Sequence, residues 1–177
     1  MNSRKLIYSG LALAGVFCLV RAGSGEVPLE SVPNVDLSRY TGRWYEIARY
    51  PNRFERKCNS NVTASYTLRS DGKISVVNSC TTREGKLTQS HGWAKVVDQK
   101  NRSKIKVTFF WPFFGDYWII DLSPNYEYAV VGEPSRKYLW ILSRTAEMDD
   151  KLYAEIAGRL AAKGYDATKL ERGKQTD

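Results

Sequence analysis

Tyr40-Thr41-Gly42-Arg43-Trp44-Tyr45-Glu46-Ile47-Ala48-Arg49 and, far downstream, Leu139-Trp140-Ile141-Leu142-Ser143-Arg144 decide the reading of this chain. Gly42 lets the backbone turn into a strand without a Cβ clash, and Trp44 lays its ring across the floor beneath that strand as an apolar plug. Arg144, at the end of the second stretch, is placed to cover the ring. A guanidinium stacked on indole contributes roughly 0.5–2 kcal/mol, depending on desolvation. Its forked donors also suit the carbonyls of an N-terminal segment closing the same floor. Gly42, Trp44 and Arg144 are thus expected to be architecture and not catalysis.

Between the two stretches the chain alternates in short segments separated by turn residues, the signature of a meandering antiparallel sheet. Val62, Ala64, Tyr66 and Leu68 alternate with Thr63, Ser65 and Thr67. Ser70-Asp71-Gly72-Lys73 is a tight hairpin turn, Ile74 to Cys80 continues the alternation, and Arg83-Glu84-Gly85-Lys86 turns the chain again. Further segments run over 87–97, 104–110, 116–122, 126–132 and 137–144, which with 43–50 makes eight. The expected fold is all-β: an eight-stranded up-and-down antiparallel barrel, with an interior able to hold one small ligand. After Arg144 the period changes. Leu152, Tyr153, Ile156, Ala157 and Leu160 recur at helical spacing, with Asp149 or Asp150 as N-cap and Gly164 as stop, so one C-terminal α-helix packs outside the barrel.

The N-terminus departs from this pattern. Arg4 and Lys5 precede the apolar run Leu6 to Val20, and Val20-Arg21-Ala22 presents small residues where a signal peptidase reads, so residues 1–22 are expected to be a signal peptide and 23–177 one domain. The run is broken by Ser9 and Gly10 and ends at Arg21, short of the roughly 18–20 apolar residues of a membrane span. The alternative fate is an outer-membrane lipoprotein lipidated at Cys18, but the triplet Gly15-Val16-Phe17 puts a bulky Phe directly before that Cys. Removing Arg4, Lys5 and Arg21, with no acids, lowers the formal charge from +8 to +5. The remaining Lys and Arg are singly placed, which favours a solvated surface over nucleic-acid binding.

Cleavage also leaves two of the three cysteines, Cys58 and Cys80, an even number that in an exported chain suggests one disulfide. Two thiols and the lone His91 do not make a metal site, and no cofactor is implied. Asn61-Val62-Thr63 and Asn101-Arg102-Ser103 are N-glycosylation triplets, meaningful only in a eukaryotic secretory pathway.

The two opening motifs, the strand count and the helix resemble the lipocalin family over nearly the whole mature chain. Within it, Arg43 to Tyr50 with Arg53-Phe54-Glu55-Arg56, and Tyr138 to Thr145, are similar to the bacterial outer-membrane lipocalins and apolipoprotein D. The resemblance implies an exported, periplasmic or secreted carrier, not an enzyme, for fatty acid, lysophospholipid or a related membrane lipid, with a part in membrane maintenance or stress response. The alternatives are an enzyme of the same fold acting on lipid and a polyanion-binding module. The first lacks a nucleophile with its base, and the second lacks a positive groove with exposed stacking rings.

Strand parity names the cavity wall. With Trp44 and Arg144 inward, Glu46, Ala48 and Tyr50 share that face, as do Tyr138, Trp140 and Leu142. The other strands offer Val62, Ala64, Tyr66 and Leu68; Ile74, Val76 and Asn78; Val107 and Phe109; Tyr117 and Ile119; Tyr128 and Val130. The expected ligand contacts are Tyr66, Asn78, Phe109, Tyr117, Ile119, Tyr128 and Trp140: aromatic walls for a tail and a few polar handles for a head. Trp111, Phe113 and Phe114, in the run Phe109 to Gly115, are expected to form an apolar lip at the mouth that touches a membrane or a partner.

Overall fold

The computed structural model describes residues 27–176. The expected signal peptide and Cys18 lie outside the described residues.

Eight consecutive antiparallel strands close into a barrel: β1 (Gly42–Arg49), β2 (Cys58–Leu68), β3 (Ile74–Thr82), β4 (Leu87–Val96), β5 (Lys104–Phe110), β6 (Phe113–Leu122), β7 (Tyr128–Gly132) and β8 (Leu139–Ser143). Each pairs with the next, and β8 returns to β1, which also pairs with β2. A helical turn, α1 (Leu37–Tyr40), is capped by the Asp36 carboxylate and leads into β1. The helix α2 (Asp150–Leu160) starts on the side chain of Asp149, which accepts from the Leu152 N–H at 3.0 Å. It runs through one further turn to Gly164, in the left-handed conformation.

The chain builds two apolar cores, one on each side of the sheet. The inner one gathers Tyr40, Trp44, Tyr66, Ile74, Val76, Ala94, Ile105, Ile119, Ala129, Val131 and Leu142. The outer one lies under α2 and joins Ile47, Tyr50, Ile120, Val130, Leu139 and Ile141 to Ile156, Leu160 and Tyr165. This second core corrects the parity reading at four positions. β1 carries a bulge between Glu46 and Ala48, so two residues oppose one on β8 and the faces exchange. Ala48 and Tyr50 therefore turn outward, and Arg49 turns inward opposite Trp140. On β7, Tyr128 and Val130 face α2, while Ala129 and Val131 face the interior. β7 is apolar on both faces because both are covered, so it shows no alternation from which an inward face can be read.

Trp44 and Arg144 meet at the floor. Trp44 is fully buried, and its Nε1 donates to the Tyr40 carbonyl at 2.8 Å. The Arg144 guanidinium lies 3.8 Å from the centre of the indole. Its Nη1 donates to the Arg43 carbonyl (2.8 Å), and its Nη2 to those of Arg39 (2.6 Å), Tyr40 (3.1 Å) and Thr41 (2.9 Å). Gly42 has a φ of +97°, and a Cβ there would come within 3.2 Å of the guanidinium. Tyr126 completes the closure by accepting the Asp36 N–H on its hydroxyl.

β1 and β2 pair only from Gly42 to Tyr45, and toward the mouth the seam between them opens. The C-terminal segment fills it. β9 (Glu171–Arg172) pairs with Ala48 and Arg49, and the Gly173 N–H bonds the Ile47 carbonyl. The Gln175 amide spans the carbonyls of Glu46 and Val62, both at 2.9 Å, and the Asn61 carbonyl-side oxygen accepts from the Thr176 N–H at 2.7 Å. Asn61 of the first glycosylation triplet is thus a fastening for the tail, in a left-handed conformation with φ +55°. Cys58 and Cys80 form the expected disulfide across β2 and β3, with their Cα atoms 5.5 Å apart.

Trp44→Ala is expected to lower unfolding free energy by roughly 3–5 kcal/mol. Arg144→Lys, whose single ammonium cannot span four carbonyls, should lower it by about 1–3 kcal/mol. Truncation after Leu170 removes the bonds across the seam and should cost on the order of 3 kcal/mol. Urea denaturation followed by tryptophan fluorescence measures all three, and an unchanged midpoint in any of them contradicts the corresponding contact.

Candidate ligand-binding site

The turns 69–73, 97–103 and 123–127 lie at the floor end, and 50–57, 83–86, 111–112 and 133–138 at the other, which is the mouth. The interior changes character between them. Near the floor, Trp44, Val76, Ile119 and Val131 are fully packed. Ala64, Val107, Phe109, Tyr117 and Trp140 point into the same core yet keep partial solvent access, and Asn78, on the face of Ile74 and Val76, is exposed. Inward residues that stay wet mark an interior open to solvent above the floor.

Three phenols meet where the packed and open parts join. The Tyr117 hydroxyl lies 2.6 Å from that of Tyr40 and 3.1 Å from that of Tyr66. The Tyr66 ring stacks on Tyr40 (5.9 Å) and meets Tyr117 edge-on (6.0 Å). Burial pushes the Tyr66 phenol up to about 12 and those of Tyr40 and Tyr117 well above their ordinary value, so all three are neutral at physiological pH.

Higher on the wall, Arg49 bridges two carboxylates, reaching Glu46 at 3.0 Å and Glu55 at 3.1 Å. Glu55 also accepts from the Trp140 indole N–H at 2.9 Å and the Asn52 amide at 3.1 Å. One guanidinium cannot fully compensate two acids. Burial first, then the neighbouring Glu55 charge, raises the Glu46 carboxyl well above its ordinary value despite Arg49. Trp140 is consequently a fixed wall element, and Tyr138 (5.9 Å) and then Phe54 (5.6 Å) extend its stack toward the rim.

At the mouth, Phe110, Trp111 and Phe113 are 80%, 77% and 78% exposed. Phe114 departs from the expected lip: it lies on the outer wall, edge-on to Trp93 at 5.2 Å, with the Lys95 ammonium 5.0 Å from its ring. β6 begins at Phe113, so alternation sends Phe114 away from the rim and Phe110 takes its place. A cleft of about 460 Å³ beside the mouth is lined by Arg49, Arg53, Arg56 and Arg83 together with Glu55 and Glu171.

Of the seven expected ligand contacts, Tyr66, Phe109, Tyr117, Ile119 and Trp140 belong to the inner core, and Asn78 shares the inward face of β3. Tyr128 does not, since its hydroxyl accepts from Arg159 of α2 on the outside. Tyr40 and Arg49 were missed. Tyr40 precedes the first strand, where parity gives no direction, and Arg49 follows the bulge. Among nucleophile candidates, Cys58 and Cys80 are joined, and His91 is exposed on β4.

The family profile described as a lipocalin-like domain matches residues 35–175. The chain is a lipocalin. It is 42% identical over 157 residues to temperature-induced lipocalin-1 of Arabidopsis thaliana, covering 84% of each chain. It is 40% identical over 162 residues to outer membrane lipoprotein Blc of Escherichia coli K12, covering 90% of this chain and 91% of that one. Apolipoprotein D of Mus musculus is 30% identical over 179 residues, covering 93% and 92%. Insecticyanin of the tobacco hornworm Manduca sexta has the same fold, with a TM-score of 0.68 at 22% identity and coverage of 84% and 85%. Lipocalins bind small hydrophobic ligands, the chemistry to which an aromatic interior open at one end is suited.

A carboxyl raised by folding contributes stability that is complete below its unfolded value and is lost as pH rises toward its folded value. Glu46→Gln removes that loss. The variant should match wild type in urea midpoint below the ordinary glutamate value of about 4.5 and exceed it increasingly toward neutral pH. Equal midpoints at both extremes would show that folding does not raise the Glu46 carboxyl.

Proposed function

We propose that this lipocalin is an exported carrier, not an enzyme, for a fatty acid or lysophospholipid held inside the barrel. The observation that carries the reading is the inward set that keeps solvent access: Ala64, Asn78, Val107, Phe109, Tyr117 and Trp140. Apolar side chains are left wet inside a closed sheet only where something else is to cover them. Each methylene they cover contributes about 0.8 kcal/mol, so a long acyl chain outweighs the ordering cost of binding. Arg53, Arg56 and Arg83 of the cleft at the mouth suit a carboxylate or phosphate head, since Arg49 is taken by Glu46 and Glu55, and the forked guanidinium pairs with either.

Phe110, Trp111 and Phe113 give the mouth an apolar lip, and Arg53, Arg56, Lys57, Arg83 and Lys86 in the neighbouring rim loops favour an anionic membrane surface. Lipid would then pass from a bilayer into the barrel without crossing water. Residues 1–22 serve export, in keeping with the outer-membrane lipoprotein among its relatives.

Titration of a fluorescent fatty acid tests the cavity. Wild type should bind one equivalent saturably, and Phe109→Glu should abolish binding while leaving the thermal midpoint within a few degrees. Absence of saturable binding by wild type, or equal binding by the variant, refutes the internal site. Replacement of Phe110, Trp111 and Phe113 by Ser should reduce co-sedimentation with anionic vesicles and leave fatty-acid affinity unchanged.

A further inference from the structure

The three phenols at the junction of packed and open interior hold one more donor than they use. Tyr117 bonds both neighbours, so the three hydroxyls make two hydrogen bonds with three protons. The spare proton falls on Tyr66 if the chain runs from Tyr40, on Tyr40 if it runs from Tyr66, and on Tyr117 if both neighbours donate to it. Whichever way the hydroxyls rotate, one O–H is left without a protein acceptor among the described residues. Once an apolar chain fills the interior and excludes solvent, that donor is left without a partner at a cost of about 1–3 kcal/mol, so an occupant that brings its own acceptor is favoured.

Its position says where that acceptor belongs. Tyr66 lies opposite Val76, two residues floorward of Asn78 on the same face of β3, and Tyr117 keeps partial solvent access from the open interior. The site is thus the deepest point that an occupant entering from the mouth can reach, where the far end of a chain arrives. It is also uncharged. Arg144 lies against the Trp44 ring with its donors engaged by carbonyls, and the Glu46–Arg49–Glu55 cluster sits on the wall toward the mouth. Arg144, whose charge reaches Tyr40 and Tyr117, has its donors turned to the carbonyls of the floor, so a second carboxylate would find no forked partner, and a neutral oxygen is matched by a neutral phenol.

We propose that the preferred occupant is an amphiphile oxygenated at both ends: a charged head at the mouth, and a hydroxyl or carbonyl oxygen at the far end of the chain that accepts from the Tyr40–Tyr117–Tyr66 hydroxyls. This rests on the carrier reading and narrows its ligand class. A plain acyl chain fills the same space but leaves the donor unpaired. The chain ending in oxygen regains that bond.

Displacement of a fluorescent fatty acid by palmitate and by ω-hydroxypalmitate tests the proposal. In a wall of hydrocarbon alone the added hydroxyl weakens binding, because it is desolvated without a partner. Wild type should instead bind ω-hydroxypalmitate roughly five- to tenfold tighter than palmitate, the worth of one regained hydrogen bond. Tyr66→Phe leaves two hydroxyls, one bond and one spare proton, so it should keep the preference. The triple variant Tyr40→Phe, Tyr66→Phe, Tyr117→Phe has no donor and should reverse it. Palmitate bound more tightly than ω-hydroxypalmitate by wild type overturns the proposal while leaving the carrier reading intact, and this comparison decides the matter even if the triple variant fails to fold. An unchanged preference in a folded triple variant overturns the phenols as its source. Failure of both acids to displace the probe removes the carrier reading, and the proposal with it.

Discussion

The guanidinium of Arg144 is the contact on which the barrel's shape depends. It lies flat against a fully buried indole and collects four carbonyls from residues 39–43, the point at which the N-terminal segment becomes the first strand. One side chain just beyond the last barrel strand therefore fixes the start of the first. It satisfies backbone acceptors that a closed floor would otherwise strip of water, and it does so without a carboxylate partner among the described residues, so these place no second charge at the floor. Everything above can then stay open. With one end sealed by Trp44 and Arg144, the wall residues nearer the mouth need not pack against one another to keep the sheet closed.

A barrel carrying a helix on one flank has two kinds of strand. Where the outer face meets water, as on β2 and β3, side chains alternate and the inward set can be read from the sequence: Tyr66, Val76 and Asn78 fall where parity puts them. Where α2 covers the outside, alternation vanishes. Tyr-Ala-Val-Val-Gly on β7 is apolar throughout, and placing Tyr128 and Val130 in the interior chose the helix side. The bulge at Ile47 is a different failure. A single extra residue exchanges inside for outside, and nothing in Glu46-Ile47-Ala48-Arg49 announces it.

The candidate site was legible to the extent that it is made of strands. Phe109, Tyr117 and Trp140 follow from their neighbours, and the floor follows from Gly42, Trp44 and Arg144. The polar groups that give the interior its chemistry come from elsewhere. Tyr40 belongs to a helical turn, Glu55 to a rim loop, and Arg49 to the residue after a bulge. Their meeting is a product of closure, which brings residues far apart in sequence to one wall. The same limit applies to Phe114, whose direction depends on where β6 begins and not on the aromatic run that contains it.

The tail across the seam bears on the order in which the molecule is made. β1 is among the first strands to leave the ribosome, yet its neighbours are β8, β9 and only four residues of β2. Contacts so distant in sequence require large loops to close, which makes them slow. Until residues 171–176 have been synthesised, the mouth half of β1 has β8 on one edge and no partner on the other, and the nascent sheet carries an unprotected edge. Closure of the mouth half of the barrel therefore waits for the last residues of the chain.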